Sequence, residues 1–139
     1  MVRTLISTDT RYPVNRKLIK RAVGDVLAKN NVHAAEVSVA VVGERKMREL
    51  VKNYLHDDEP CEVLAFPLED VMSSGQRRQG SVNRQGFVNP PDGVLRLGDL
   101  VLCWPQVLLS ASRNDKLVDD EVYFLTGHGV LHLLGKHHE

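Results

Sequence analysis

The twelve residues at positions 128–139, HGVLHLLGKHHE, hold four of the six histidines of this chain. Their spacing, and the glycine among them, indicate how the end of the chain folds. Three of them, His128, His132 and His138, follow the spacing H-x3-H-x5-H. Helical residues four positions apart lie one turn apart on the same face, so His128 and His132 can direct two imidazoles at one point. Gly135 can adopt the left-handed conformation that often ends a helix. The chain beyond it can then turn back and bring His138 to the same point.

This spacing predicts a metal site with His128, His132 and His138 as ligands and one zinc ion as the cofactor. Three protein ligands leave one tetrahedral position for water, which is the arrangement of catalytic zinc sites. The ion would activate that water for hydrolysis. Two alternatives remain open on the sequence alone. The helical pair could be ordinary surface histidines, and His137 could compete with His138 as a ligand or face solvent.

Composition indicates one globular domain spanning residues 1–139. The chain is 42% hydrophobic, which is enough for a core and excludes disorder throughout. Basic and acidic residues number 18 each, so the formal charge is zero and any nucleic-acid binding must depend on a local basic patch. The sequence lacks a signal-peptide pattern and the ~18 consecutive apolar residues of a transmembrane helix. Cys61 and Cys103 form no CxxC pair, so we expect reduced thiols and a cytoplasmic location.

Hydrophobic periodicity predicts an α+β fold in which strands and helices alternate for much of the chain. Apolar residues recur at four-residue steps in the first predicted helix, where Asn15 is the expected N-cap. Pro105 suits the start of a later helix, and Pro67 indicates that its strand ends there or lies at an edge. The predicted strands are 3–8, 36–42, 61–67 and 97–103, and the predicted helices are 16–30, 44–54, 105–114 and about 118–134.

The segment at about 68–96 has a different character, because turn-forming glycine, proline, asparagine and serine are frequent in it. A loop of this length inside a compact domain is usually functional or disordered, and we expect it to be mobile. Arg77, Arg78 and Arg84 could contact an anionic substrate, although plain solvated flexibility explains them as well.

Four sequence blocks together resemble the YbeY endoribonuclease family. The histidine motif resembles the signature of that family, and residues 62–67 (EVLAFP) and 97–101 (LGDLV) resemble two upstream blocks in the correct order. The segment at 36–54 fits the unit that precedes them. The resemblance implies a small mixed β-sheet of about four strands flanked by helices, with the metal site on the C-terminal helix and the turn after it. It also implies a zinc-dependent, single-strand-specific endoribonuclease.

The same resemblance implies a role in ribosomal RNA maturation, at the 3′ end of the 16S RNA, and in ribosome quality control. The expected partners are single-stranded RNA and the small ribosomal subunit or its proteins, with no membrane and no DNA. The family usually has an arginine at the position of Leu55. Because this chain lacks that arginine, Lys52 and His56 are the candidate substrate-binding residues.

The general base is not determined by the sequence. In helical zinc proteases a glutamate follows the first histidine, whereas Gly129 stands here, which disfavours a protease. Glu62 and Asp99 are the candidate catalytic carboxylates, and Glu121 is a further acid, interpreted as an exposed helix residue. One alternative is a non-catalytic ribosome-assembly or RNA-binding factor with a structural metal. Another is a metallohydrolase with a different substrate, including peptides.

Overall fold

The computed structural model describes residues 2–9, 11–55, 61–68 and 94–135. Strands and helices alternate at first, and two consecutive helices end the described chain. The strands are β1 (Val2–Thr8), β2 (Ala35–Val42), β3 (Val63–Pro67) and β4 (Leu95–Cys103). The helices are α1 (Arg16–Lys29), α2 (Glu44–Leu55), α3 (Trp104–Arg113) and α4 (Val118–Leu133).

Local signals in the sequence place most of these boundaries. The Asn15 side chain accepts hydrogen bonds from the backbone N–H groups of Lys17 and Leu18, which caps α1 as predicted. Proline lies in the first turn of α3, where its missing N–H costs nothing. Gly135, just after α4, has φ +80°, the left-handed conformation that was expected to end this helix.

The described strands form one mixed sheet with the order β1-β2-β4-β3, which confirms the predicted fold class. The β1–β2 and β2–β4 pairs are parallel, whereas β3 pairs with β4 in the antiparallel direction. In this sheet β3 is an edge strand, which agrees with the expectation from Pro67. Proline has no backbone N–H to donate, and an edge strand tolerates that loss.

Helices cover both faces of the sheet and bury two separate clusters of side chains. On the first face, α1, α3 and α4 pack against alternate residues of β2 and β4, including Val37, Val39 and Leu100. On the second face, Met47 and Val51 of α2 pack against neighbouring strand residues. Because α2 packs near one end of the strands, it leaves part of the second face open.

The strand β4 begins at Leu95, two residues before its predicted start at 97. Residues 69–93 of the predicted loop, including Arg77, Arg78 and Arg84, lie outside the described residues. A register shift occurs early in β4, where Val37 is paired with Gly98 after Glu36 is paired with Arg96. Gly98 has φ +141°, which side chains with a Cβ rarely adopt. The irregularity that this glycine permits was not visible in the sequence pattern.

Candidate metal centre

The helix α4 carries the histidine pair and packs on the first face of the sheet. Three acidic residues in its first turn complement the positive end of the helix dipole. Its buried residues include Val122, Leu125, Gly129 and Leu133, which recur at helical spacing. This buried side fixes the rotation of α4 and therefore the direction in which the two histidines point.

Gly129 lies at the point of close approach between α4 and the sheet. A Cβ built at this position would be 2.7 Å from Leu100 Cδ2 and 3.3 Å from Val63 Cγ2. A glutamate here would force the buried Leu100 side chain or the helix itself to shift. The packing therefore agrees with the sequence argument against a protease that has its general base at this position.

His128 and His132 are half-buried and direct their rings at each other. Their Nε2 atoms are 3.1 Å apart, and the ring centroids are 4.7 Å apart with an interplanar angle of 68°. Two nitrogens bound to a tetrahedral zinc at about 2.05 Å are about 3.3 Å apart. The donor chemistry and spacing of this pair therefore fit one shared metal ion, as the H-x3-H spacing predicts.

The third predicted ligand, His138, lies outside the described residues, as do His137 and His56. Within residues 2–9, 11–55, 61–68 and 94–135, no group of three or more His, Cys, Asp or Glu side chains is gathered around one point. The complete three-histidine site therefore remains a prediction.

Two further side chains, Phe124 and Lys116, lie next to the histidine pair. The Phe124 ring stacks beside the His128 ring, with centroids 6.0 Å apart and an interplanar angle of 20°. The Lys116 ammonium lies over the Phe124 ring, 4.5 Å from its centroid. Phe124 is one helical turn before His128, so the four-residue spacing could have identified it. Lys116 could not be found in this way, because it reaches the site from the turn before α4.

Glu121 is buried, which corrects its interpretation as an exposed helix residue. Its side chain lies against α3, where the Ser110 hydroxyl donates a hydrogen bond to Oε2. The Asn114 amide is 3.5 Å from the same oxygen, and Lys116 Nζ is 3.2 Å from Oε1. Burial alone would raise the pKa of Glu121, but the Ser110 hydrogen bond and the Lys116 charge outweigh it and lower the pKa. Glu121 is therefore a buried anion that positions Lys116.

The lowered pKa of Glu121 makes part of the folding free energy depend on pH. A carboxyl group with a depressed pKa in the folded state stabilises the protein above its unfolded pKa, and this stability is lost as the pH falls. We expect Glu121→Gln to lower the free energy of unfolding by about 1–3 kcal/mol at neutral pH. The difference from wild type should shrink as the pH falls below the ordinary value of 4.5.

Urea unfolding at several pH values measures this effect. Glu49→Gln, a change at an exposed position of α2, is the matched control and should leave the unfolding free energy nearly unchanged. A difference between Glu121→Gln and wild type that stayed constant or grew on acidification would contradict the assignment.

The candidate carboxylate Asp99 lines a groove of about 640 Å³ on the second face of the sheet. There it is exposed, in register with Ser38 of β2 and Phe66 of β3. Its neighbour Leu100 contacts Gly129 on the first face, so successive side chains of β4 point to opposite faces. Asp99 therefore points to the face opposite α4. Its catalytic role remains a prediction.

The other two candidate residues in the described chain are Glu62 and Lys52. Glu62 is half-buried just before β3, and its backbone carbonyl accepts a hydrogen bond from the Cys103 N–H at 2.9 Å. Lys52 is exposed on α2. Cys61 and Cys103 are not joined by a disulfide, as predicted. The roles proposed for Glu62 in catalysis and for Lys52 in substrate binding remain predictions.

The fold and the helical histidine pair define a small α+β protein with a candidate metal centre on its last helix. The profile of the family described as Endoribonuclease YbeY matches residues 6–139. The chain belongs to this family, which confirms the resemblance found in the sequence.

Known relatives agree with this assignment over most of their length. The chain is 33% identical over 127 residues to Endoribonuclease YbeY of Roseiflexus castenholzii, covering 91% of this chain and 72% of the relative. It is 32% identical over 135 residues to Endoribonuclease YbeY of Thermobifida fusca, covering 96% and 79%. A Thermotoga maritima protein of known solution structure has a similar fold, with a TM-score of 0.54 and 25% identity. That match covers 100% of this chain and 75% of the other.

Within the described part of the chain, no helix has both the length and the apolar character needed to cross a bilayer.

Proposed function

We propose that this protein is a zinc-dependent endoribonuclease that cleaves single-stranded RNA. The observation that carries the proposal is the convergence of His128 Nε2 and His132 Nε2 at 3.1 Å in a member of the Endoribonuclease YbeY family. His138, beyond the glycine that ends α4, is the third ligand in this proposal. Three histidines without a fourth protein ligand leave the open position that hydrolysis requires.

Zinc supplies Lewis-acid polarisation of a phosphoryl oxygen and activation of water. The protein's own contribution is to hold two imidazoles in a fixed orientation, through the buried side of α4. These imidazoles must be neutral to act as ligands, because the metal takes the lone pair that a proton would otherwise occupy. Glu62 remains the candidate carboxylate for orienting water or a ligand beside α4, whereas Asp99 points to the opposite face of the sheet.

The physiological role in this proposal is maturation of the 16S ribosomal RNA 3′ end and ribosome quality control in the cytoplasm. The small ribosomal subunit or its proteins are the proposed partners. Support comes from the family to which the chain belongs and from the relatives named Endoribonuclease YbeY.

One assay series tests the reaction. The purified full chain is analysed for bound metal and incubated with single-stranded RNA, duplex RNA and peptides, with chelator and after zinc is restored. We expect cleavage of single-stranded RNA that stops with chelator and returns with zinc, with slower cleavage of duplex RNA and none of peptides.

The alternative, a non-catalytic assembly factor with a structural metal, gives a different result in the same series. In that case the chelator would lower the unfolding temperature, because structural zinc contributes to folding, and no RNA would be cleaved at any zinc concentration. Peptide cleavage would instead indicate a metallohydrolase with another substrate.

A further inference from the structure

The backbone of Lys116 is hydrogen-bonded in the turn between α3 and α4. Its backbone N–H donates a hydrogen bond to the carbonyl of Ala111 at 2.9 Å, which closes the end of α3. The preceding residue, Asp115, has φ +57° and so reverses the chain direction. These contacts fix the Cα of Lys116 beside the first turns of α4.

The side chain of Lys116 is also fixed at its charged end. Nζ lies 3.2 Å from the buried Oε1 of Glu121 and 4.5 Å from the centroid of Phe124. A carboxylate and an aromatic ring both attract an ammonium group. These two contacts partly order the Lys116 side chain before any ligand binds, which lowers the entropy cost of binding.

This fixed ammonium lies close to the candidate metal ligand. The Phe124 ring is close to both groups, because its centroid is 4.5 Å from Lys116 Nζ and 6.0 Å from the centroid of the His128 ring. The Lys116 ammonium is thus no farther from the His128 ring than these two distances placed end to end. A single-stranded RNA that presents a phosphodiester to the histidine pair would carry a neighbouring phosphate within reach of this ammonium.

The contact with Glu121 does not use all the donors of Lys116. An ammonium has three N–H donors, and one carboxylate oxygen can accept only part of them. The Lys116 side chain is 40% exposed, whereas that of Glu121 is 2% exposed. Oε2 of Glu121 accepts hydrogen bonds from Ser110 and Asn114. The exposed side of the Lys116 ammonium can therefore bind an anion from solvent.

We propose that Lys116 binds the RNA backbone, at a phosphate next to the phosphodiester presented to His128 and His132, with Phe124 and Glu121 as its positioning residues. This inference rests on the proposed function, because it takes RNA as the substrate. Because the formal charge of the chain is zero, any contact with the RNA backbone depends on individual, locally placed cations such as this one.

Two substitutions separate the charge of Lys116 from its structural contact. Lys116→Gln removes the charge but keeps a donor for Glu121, and Lys116→Arg keeps the charge. Lys29→Gln removes an equal charge from the exposed end of α1 and is the matched control. The zinc-loaded full chain is used for steady-state cleavage of a labelled single-stranded RNA and for RNA binding by fluorescence anisotropy at several salt concentrations.

For Lys116→Gln we expect KM and the RNA dissociation constant to rise about five- to tenfold, with kcat and zinc content nearly unchanged. The slope of log affinity against log salt should become shallower by about 0.7, the value for one phosphate contact on a single strand. Lys116→Arg should resemble wild type, and Lys29→Gln should change neither quantity.

The inference is overturned if Lys116→Gln has the KM and salt slope of Lys29→Gln while the wild type cleaves RNA. It is also overturned if the variant loses stability or zinc without a change in salt slope, because Lys116 would then be only the counter-ion of Glu121. If the wild type binds RNA but does not cleave it, the proposed function fails and the anisotropy slopes still decide the role of Lys116. If the wild type neither binds nor cleaves RNA, both proposals fail.

Discussion

His132→Ala is expected to abolish zinc binding and RNA cleavage together. The substitution removes one of two nitrogens that converge at 3.1 Å on α4, and two of the three proposed ligands cannot hold the ion in a defined tetrahedral geometry. We expect zinc affinity to fall at least about 100-fold and cleavage of single-stranded RNA to fall to background. His128→Ala should have the same effect, because its Nε2 is the other nitrogen of the converging pair.

Metal analysis of the purified variants and cleavage assays with added zinc measure both effects. His132 is only half-buried, so the variant should keep the wild-type circular dichroism spectrum and remain folded. His33→Ala, at an exposed position between α1 and β2, removes one imidazole elsewhere and should retain full zinc content and activity. Full zinc content in His128→Ala or His132→Ala would rule out this pair as ligands.

The sequence predicted the elements of this fold well where the determining interaction is local. Asn15 caps α1 with its own side chain, and Gly135 ends α4 through its own backbone conformation. The spacing of His128 and His132 is likewise a property of one helix, so their convergence could be anticipated without knowledge of the rest of the chain.

The sequence failed where the determining contact joins distant segments. Glu121 carries a charge in a first helical turn, which is normally exposed, and only the position of Ser110 on α3 explains its burial. Lys116 becomes part of the metal-site surroundings through Phe124 and Glu121, so its own sequence neighbours do not identify it. Tertiary packing determines such positions, whereas local propensity determines helix ends.

The irregularity in β4 is another feature that a contact between distant segments determines. The LGDLV block resembles a family motif, but the physical reason for a glycine at position 98 lies in the neighbouring strand β3. At Gly98 a Cβ would be 2.3 Å from the carbonyl oxygen of Phe66 and 2.9 Å from Pro67 Cα, both in β3. These are backbone atoms of a paired strand, so room for a Cβ requires a shift of β3 against β4.

Gly98→Ala is therefore expected to be the most destabilising single-methyl change in the described chain. The new methyl group meets backbone atoms, and φ +141° is strained for any residue with a Cβ. We expect a loss of about 3 kcal/mol or more in the free energy of unfolding. Zinc affinity should fall as well, because the same Cβ would be 3.1 Å from Cδ2 of Leu133, one residue after His132 on α4.

Gly24→Ala is the matched control for this prediction. Gly24 lies in the interior of α1, and a Cβ there would meet nothing within 4 Å. Alanine is the better helix former, so this variant should gain about 0.5–1 kcal/mol. Urea unfolding of the zinc-free proteins compares the two variants with wild type. A Gly98→Ala protein within about 0.5 kcal/mol of wild type would show that β3 can shift at little cost, because ordinary surface substitutions fall in that range. The close approach of β3 and β4 would then have no part in holding the metal helix in position.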